Sequence, residues 1–321
     1  MPKALIIVNP ISGGFDKKVL IRKAVSRLEE MGYTAHAEFT RASGHAATLA
    51  FEAIARHYDA VIVAGGDGTV NEVASALRNS GMPLGIIPCG SGNGLARHIG
   101  IPNDVDKALD IIAHHNVRPC DCGIANGFPF FCTFGMGFDA AVSASFAHSK
   151  KRGPISYVKS AVSELRSFRP SSYRLTINGH TLEFKAFLLT VANASQYGNN
   201  AFIAPGASIR DGLLDITVFH DGNPIALAAA GLDLFTGHLD HNLIVQTFRV
   251  SATTIETTSE IAHLDGDPTT MTSPVNIHCE PAALQLFLLP HKRRFKPFLT
   301  PLEYFFRDMG LAITRPFRSQ K

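Results

Sequence analysis

The sequence lacks the long apolar segment that a membrane-spanning helix needs, since no run of apolar residues approaches about 18. The nearest, PIALAAAGLDLF at 224–235, is interrupted by Asp233 and predicts a buried helix instead. The first ten residues, MPKALIIVNP, contain one lysine and lack the cleavage pattern of a signal peptide. We therefore expect a protein without a transmembrane helix.

Cysteine is scarce, with five residues in a chain of 321. Because the number is odd and no secretion signal accompanies it, reduced thiols in a cytoplasmic protein are expected rather than a disulfide framework. The sequences CDC at 120–122 and HC at 278–279 lack the ligand spacing of a zinc site. Structural roles are the simpler interpretation.

Three enzyme motifs are also missing, and each absence excludes a class of protein. The first predicted strand is followed by NPISGG (9–14), not by the G-x-G-x-x-G of a dinucleotide-dependent dehydrogenase. No G-x-x-x-x-G-K-[ST] loop occurs, so a P-loop kinase with a phosphate-binding loop lysine is excluded. No G-x-S-x-G elbow occurs, which argues against a serine nucleophile.

Charge is distributed unevenly along the chain. Residues 291–321 contain eight Lys and Arg residues against Glu303 and Asp308, a net charge of +6, which leaves −3 elsewhere in a chain whose total is +3. This basic segment is also rich in aromatic residues, so it predicts either a tail that binds anionic lipid surfaces or a solvated tail folded partly onto the protein. Nucleic-acid binding is not expected, because no recognised module accompanies the charge.

Apolar strand patterns alternate with helical patterns through residues 1–117. Strands are predicted at 3–9, 34–40, 59–65 and 83–90, and a helix at 43–57 is predicted to be capped by Ser43. This βαβαβαβ order predicts a parallel sheet covered by helices, a doubly wound α/β domain.

The pattern changes near residue 118 to short strands typical of an antiparallel domain. Asn126-Gly127 and Asn178-Gly179 each lie between two strand-like runs and predict tight hairpins. Helices are expected near 138–167 and 224–236. We divide the chain into an α/β domain (1–117), a mostly antiparallel β domain (118–290) whose last strand is compatible with a return to the first domain, and a tail (291–321).

Two glycine-rich turns follow neighbouring strands, and each leads into a helix. They read GGDGTVNEV (65–73) and PCGSGNGLAR (88–97). Glycines allow close approach of a ligand to the backbone, and the N–H groups of the following helix attract phosphate. Asp67 would repel that phosphate unless a metal ion or a hydroxyl group mediates. Either turn alone could be structural, but together they predict one phosphate-binding pocket.

These turns resemble the catalytic domain of the diacylglycerol kinase and sphingosine kinase superfamily, and the chain is most similar to its soluble bacterial lipid kinases. The resemblance continues, in the order of the family, through VNPISGG (8–14), TRASGHA (40–46), APGASIRDGLLD (204–215) and LDGDP (264–268). It implies a two-domain lipid kinase fold, ATP as phosphoryl donor and Mg²⁺. The first domain would then bind the nucleotide, and the second would hold the lipid substrate and a metal site.

Site residues follow from the matched positions. The resemblance places the nucleotide beside Asn9, Pro10, Ser12, Gly13, Thr40, Gly66, Asp67, Gly68, Thr69 and Ser91, with Asn71 and Glu72 bracing the phosphate loop. Asp67 is also expected to serve catalysis. The structural magnesium site would use the Asp211 side chain with backbone carbonyls of Ser208 and Leu213.

The catalytic base falls on Asp267, where related bacterial enzymes usually carry glutamate in the motif Asp-Gly-Glu. A carboxylate within hydrogen-bond reach can take the proton of a lipid hydroxyl. Aspartate is one methylene shorter, so the acceptor must approach more closely or the loop must shift. Asp265 is the alternative base.

The function expected is therefore an ATP- and Mg²⁺-dependent lipid kinase that acts on diacylglycerol or a related lipid alcohol at a peripheral membrane surface. Two alternatives remain open: an NAD kinase-like enzyme with a soluble substrate, and a nucleotide- or lipid-binding protein that has lost catalysis. The sequence does not fix the oligomeric state, and a homodimer is one assembly it allows.

Overall fold

The first domain is a four-stranded parallel sheet with helices on both faces. The computed structural model describes residues 1–14, 16–147, 168–290 and 295–313. The strands are β1 (Lys3–Val8), β2 (Thr34–Phe39), β3 (Ala60–Gly65) and β4 (Pro83–Pro88), in the order β2-β1-β3-β4. The helices are α1 (Lys17–Glu30), α2 (His45–Ala55), α3 (Asp67–Leu77), α4 (Gly94–His98) and α5 (Val105–Ala113). All six residues of β3 are buried, as its continuous apolar sequence predicts. The doubly wound α/β prediction is confirmed.

The second domain is mostly antiparallel, which is also confirmed. Its strands are β5 (Val117–Ala125), β6 (Phe128–Phe130), β7 (Thr133–Gly137), β8 (Ser171–Ile177), β9 (His180–Ala192), β10 (Leu214–His220), β11 (Val245–Val250), β12 (Ala252–Thr257), β13 (Ile261–Leu264), β14 (Asp267–Thr270) and β15 (Val275–Phe287). Both predicted hairpins form, and in each the Asn and the Gly of the turn have positive φ.

The long strand β15 joins the two domains into one sheet. Its first part pairs with β12, most of its length pairs with β5, and Gln285 and Leu286 pair in parallel with β4. The apolar side chains of residues 283, 284 and 286–288 belong to the core of the first domain. As a result, loops of the second domain lie against the carboxyl ends of β3 and β4.

Among the described residues, three α-helices accompany the β domain: α6 (Phe138–Ala147), α7 (Pro224–Thr236) and α8 (Leu299–Ile313). The rest of the helix expected near 138–167, and the basic residues at 292–294 and 315–321, lie outside the described residues. The prediction that 224–235 is a buried helix is wrong on burial, since Ile225, Leu232 and Phe235 of α7 are exposed. No helix among the described residues is long and apolar enough to cross a membrane.

Candidate functional site

The residues predicted to contact the nucleotide lie in loops, and in the first turn of α3, at one edge of the parallel sheet. Asn9 follows β1, Thr40 follows β2, Gly66 follows β3, and Ser91 belongs to the turn after β4. Because these strands are neighbours, their carboxyl ends share one edge, which is where open α/β sheets bind ligands. The fold therefore brings all four loops to the same edge of the sheet.

The two glycine-rich turns touch each other through their backbones. A Cβ added to Gly90 would lie 2.7 Å from the Cα of Gly66, and one added to Gly66 would lie 3.2 Å from the Cα of Gly90. Distances this short leave no room for a side chain at Gly90. The glycines are therefore needed for contact between the turns as well as for any approach of a ligand.

The carboxylate of Asp67 joins these turns. Its oxygens accept hydrogen bonds from the backbone N–H groups of Asn93, at 2.7 Å, and Gly94, at 2.6 Å. Burial, with a smaller contribution from the nearby Asp265, raises the pKa of Asp67 from 3.8 to about 6, although these hydrogen bonds favour the charged form. The Asp67 carboxylate, which lies among glycines, thus accepts the hydrogen bonds of the amide groups at the start of α4.

The loop after β1 is fixed by the first turn of helix α3. The side-chain amide of Asn9 donates to the hydroxyl of Thr69 at 2.8 Å, and its oxygen accepts from the backbone N–H of Ile11 at 3.1 Å. The Ser12 hydroxyl donates to the Asn9 carbonyl at 3.2 Å, while Pro10 and Gly13 are exposed. These hydrogen bonds hold the loop beside the first turn of α3 and leave Pro10 and Gly13 exposed to solvent.

The predicted cap of α2 by Ser43 is wrong. The helix begins after Gly44, and the Glu72 carboxylate of α3 accepts from the N–H groups of Gly44, at 2.8 Å, and Ala46, at 3.1 Å. A charged carboxylate is a better partner than a serine hydroxyl for these amides at a helix N-terminus. Glu72 therefore positions the loop that carries Thr40.

The motif Asp265-Gly266-Asp267 forms the hairpin turn between β13 and β14. Asp265 and Gly266 have φ of 50° and 89°, and Asp267 is the first residue of β14. The Asp265 carboxylate accepts from the N–H groups of Phe131, Cys132 and Thr133 and from the side chain of Asn71. This buried carboxylate therefore holds the hairpin against α3.

Asp267 faces the phosphate loop instead. Its side chain is exposed, and a Cβ added to Gly68 would lie 3.1 Å from its Oδ2 atom. A carboxylate in that place can reach a hydroxyl group that approaches the N-terminus of α3. Four hydrogen bonds occupy the Asp265 carboxylate, whereas the Asp267 side chain is exposed beside Gly68.

One cation at this edge was missed from the sequence. Lys17, in the first turn of α1, donates through Nζ to the carbonyl of Ser12. Burial raises the pKa of the Cys89 thiol, and the ammonium group of Lys17 partly offsets that rise. Its ammonium group therefore lies between the loop after β1 and the turn after β4. The signal was its position three residues after NPISGG (9–14), although no spacing rule identifies such a lysine.

The residues predicted for the structural metal site lie in the loop before β10. Among the described residues, no three His, Cys, Asp or Glu side chains are grouped to hold a metal ion, so this site would rely on backbone carbonyls and water. Asp211 and Asp215 both pair with Arg249. Burial, with smaller contributions from Asp211 and Asp240, raises the pKa of Asp215 to about 6, although Arg249 acts in the opposite direction. Oxygen donors and excess negative charge fit Mg²⁺ at Asp211, Ser208 and Leu213.

We expect Mg²⁺ to raise the melting temperature of the protein by a few degrees, because an ion that binds only the folded state stabilises it. The shift should disappear in Asp211→Ala, which loses the side-chain ligand. Arg249→Gln is the matched control, since it breaks the same ion pair but keeps the carboxylate and should keep the shift. Thermal unfolding with and without Mg²⁺ measures this. An equal shift in Asp211→Ala would contradict the assignment.

Comparison with known proteins agrees with this architecture. Residues 3–125 match the family described as the diacylglycerol kinase catalytic domain, and residues 133–288 match the YegS C-terminal NAD kinase beta sandwich-like domain. The crystal structure of a diacylglycerol kinase from Bacillus anthracis superposes with a TM-score of 0.72 at 24% identity, covering 90% of this chain and 97% of that one. That likeness supports the fold.

Two relatives are similar over most of their length, and the resemblance predicted from the motifs is confirmed. A diacylglycerol kinase of Bacillus subtilis is 31% identical over 253 residues, 77% of this chain and 84% of the relative. A diacylglycerol kinase of Mycobacterium tuberculosis is 32% identical over 300 residues, 90% of this chain and 96% of the relative. The chain therefore belongs to the diacylglycerol kinase family of lipid kinases.

Proposed function

We propose that the protein transfers the γ-phosphoryl group of ATP to the hydroxyl group of diacylglycerol or a related lipid alcohol, in a reaction that depends on Mg²⁺. The observation that carries the proposal is the approach of Asp267 to Gly68 in the first turn of α3. It sets a carboxylate from the second domain beside the amide groups expected to hold the phosphates.

Each part of the site has a role in this reaction. The N–H groups at the start of α3 and the ammonium group of Lys17 bind phosphate oxygens, and Asn9 and Glu72 hold the surrounding loops in place. Asp67 keeps the two glycine turns together. Mg²⁺, when bound, would supply positive charge to offset repulsion between the phosphates and the carboxylates of Asp67 and Asp267. Asp267 accepts the proton of the lipid hydroxyl as that oxygen attacks the γ-phosphorus and the bond to ADP breaks.

Transfer of labelled γ-phosphate from ATP to a panel of lipid alcohols in detergent micelles tests this function. The panel contains diacylglycerol, a sphingoid base and phosphatidylglycerol, and a parallel reaction contains NAD. Label in a lipid that requires Mg²⁺ would support the proposal and identify the acceptor. Label in NADP alone would support the NAD kinase-like alternative, and ATP binding without transfer would support a binding protein.

We also propose that the protein reaches its substrate through an apolar ridge on α7 and α8. The ridge consists of the exposed side chains of Ile225, Leu232, Phe235, Leu299, Leu302, Phe305 and Phe306. The helices meet where the N–H of Phe298 donates to the carbonyl of Thr236 at 2.9 Å. The rings of Phe298 and His238 pack together there, with their centroids 4.1 Å apart and their planes tilted by 37°. On the inner side of α8, Tyr304 packs near Phe202.

An anionic bilayer is the partner this ridge fits. The lipid substrate proposed for the protein resides in a bilayer. The sequence of residues 291–321 has a net charge of +6 from eight basic and two acidic residues, which favours an anionic surface. Apolar side chains in the interface together with basic residues near anionic head groups are the combination that holds peripheral proteins on membranes.

Leu302→Glu with Phe306→Glu should lower binding to vesicles that contain phosphatidylglycerol by about 100-fold or more, since each side chain contributes ~1.5–3 kcal/mol when fully buried. Activity on vesicle-borne diacylglycerol should fall with it, while activity on a short-chain diacylglycerol in solution should not change. Phe51→Glu, an exposed site on α2, is the control. Loss of activity on both substrates would contradict a role limited to docking.

A further inference from the structure

A buried polar cluster lies directly behind the hairpin that carries Asp267. Asp139, at the start of α6, and His263, on β13, are 4% and 1% exposed. Asp139 Oδ2 accepts from the hydroxyls of Thr190, at 2.7 Å, and Tyr197, at 2.8 Å, and lies 3.2 Å from Nε2 of His263. None of these groups has a role in the reaction described so far.

The cluster is built for close contact with the neighbouring strand β7. Gly135 of β7 pairs with His263, and a Cβ at Gly135 would lie 2.2 Å from Asp139 Oδ2 and 2.3 Å from His263 Nε2. Any side chain at this position would displace the Asp–His pair. The glycine is therefore required by the pair itself.

The hydrogen bonds determine which ring nitrogen of His263 carries the proton. The N–H of Gly266 donates to Nδ1 at 3.3 Å, so Nδ1 must be the unprotonated acceptor. The proton then lies on Nε2, where it is donated to the Asp139 carboxylate. The aspartate thereby selects the tautomer that can hold the Gly266 amide.

Gly266 is the residue between Asp265 and Asp267, so its orientation sets the direction in which β14 begins. Asp265 is fixed by backbone amide groups on one side of the turn. The Gly266 N–H is the next donor along the chain, and His263 accepts it. Together the two contacts hold the turn on both sides of its bend.

We propose that the Asp139–His263 pair is a positioning device: Asp139 fixes the Nε2–H tautomer of His263, which holds the Gly266 amide and so aims the Asp267 carboxylate at Gly68. The proposal rests on the role of Asp267 as the base. Neither residue touches the reacting atoms, and both act through the hairpin.

Two substitutions separate this device from a general packing role. In His263→Asn, the side-chain oxygen takes the place of Nδ1 and still accepts from Gly266, so kcat should stay within about threefold of the parent. In Asp139→Asn, the N–H of Ala140 requires the oxygen at the Oδ1 position, which turns the NH₂ group toward His263. His263 must then accept at Nε2 and carry its proton on Nδ1, facing the Gly266 N–H.

Asp139→Asn should therefore lower kcat by about 100-fold, the order expected for a misplaced catalytic group, with little change in KM for ATP. The double variant Asp139→Asn/His263→Asn should recover most of that loss, because the asparagine at 263 has no tautomer to select. Steady-state kinetics of the four proteins measures the coupling. Equal losses from Asp139→Asn in both backgrounds would overturn the proposal, and so would no loss in either.

The ¹⁵N resonances of the His263 ring give a readout that needs no turnover. The parent protein should show the proton on Nε2, and a proton on Nδ1 would overturn the proposal even if Asp139→Asn fails to fold. A parent protein that shows the expected tautomer but phosphorylates no lipid would contradict the proposed function instead. The two failures are thus distinguishable.

Discussion

Asp267→Asn is expected to lower kcat for lipid phosphorylation by about 100- to 10,000-fold, the usual contribution of a general base. The amide keeps the size of the side chain but cannot take the hydroxyl proton. KM for ATP and the melting temperature should stay close to those of the parent, because the Asp267 side chain is exposed at the start of β14. Steady-state kinetics with diacylglycerol in micelles measures the effect.

Asp267→Glu and Asp221→Asn are the controls for this result. Glutamate keeps a carboxylate at the position and should retain far more activity than asparagine. Asp221, an exposed carboxylate in the loop that follows β10, should tolerate the change. If Asp267→Asn kept full activity while Asp265→Asn lost it without unfolding, the base would be Asp265.

Asp67→Ala is expected to have the second large effect, on both activity and stability. It removes the acceptor of two backbone N–H groups, and each buried donor left without a partner costs about 1–3 kcal/mol. The two glycine turns should then separate, and kcat/KM for ATP should fall by about 100-fold. Urea unfolding and kinetics measure the two effects, with the exposed Asp106→Asn on α5 as the control.

The same carboxylate predicts a pH dependence. Its charged form is the stronger acceptor for both amide groups, so activity should fall as the pH falls through about 6, the raised pKa of Asp67. The stability contribution has the opposite sign. Because the folded protein holds this proton more tightly than the unfolded chain, the group favours folding below its ordinary pKa of 3.8 and loses that contribution as the pH rises through about 6. An activity profile flat from pH 5 to 7, on the order of one unit either side of that pKa, would contradict the role of Asp67.

Much of the fold follows from local sequence. The apolar runs of β1, β3 and β4 and the Asn-Gly turns specify their elements because the chemistry that defines each one lies within a few residues. Asp265-Gly266 also forms a hairpin turn, and an Asp-Gly pair between strands predicts one. From the sequence alone, the pair is assigned only to the Asp-Gly-Asp motif. Burial of α7 was mispredicted because apolar composition does not say whether another element covers a helix.

The site itself depends on contacts between residues that lie far apart in the sequence, and such contacts cannot be identified from local patterns. Glu72 caps α2 in place of Ser43, and Asn71 binds Asp265, 194 residues further along the chain. The sequence identified both residues only as braces of the loop, because a cap or an amide contact leaves no periodic pattern. Lys17 was missed for the same reason. Its ammonium group meets Cys89 only because β1 and β4 end at the same edge of the sheet.

The central claim is that the glycine turns of the first domain and Asp267 of the second form one phosphoryl-transfer site. A crystal structure of the protein with Mg²⁺ and a nonhydrolysable ATP analogue tests it most directly. We expect the γ-phosphate to lie against the N–H groups of Gly68 and Thr69, with Lys17 in contact and the Asp267 carboxylate on the open side of the phosphate. Phosphates bound away from the first turn of α3, or an Asp267 carboxylate turned away from them, would contradict it.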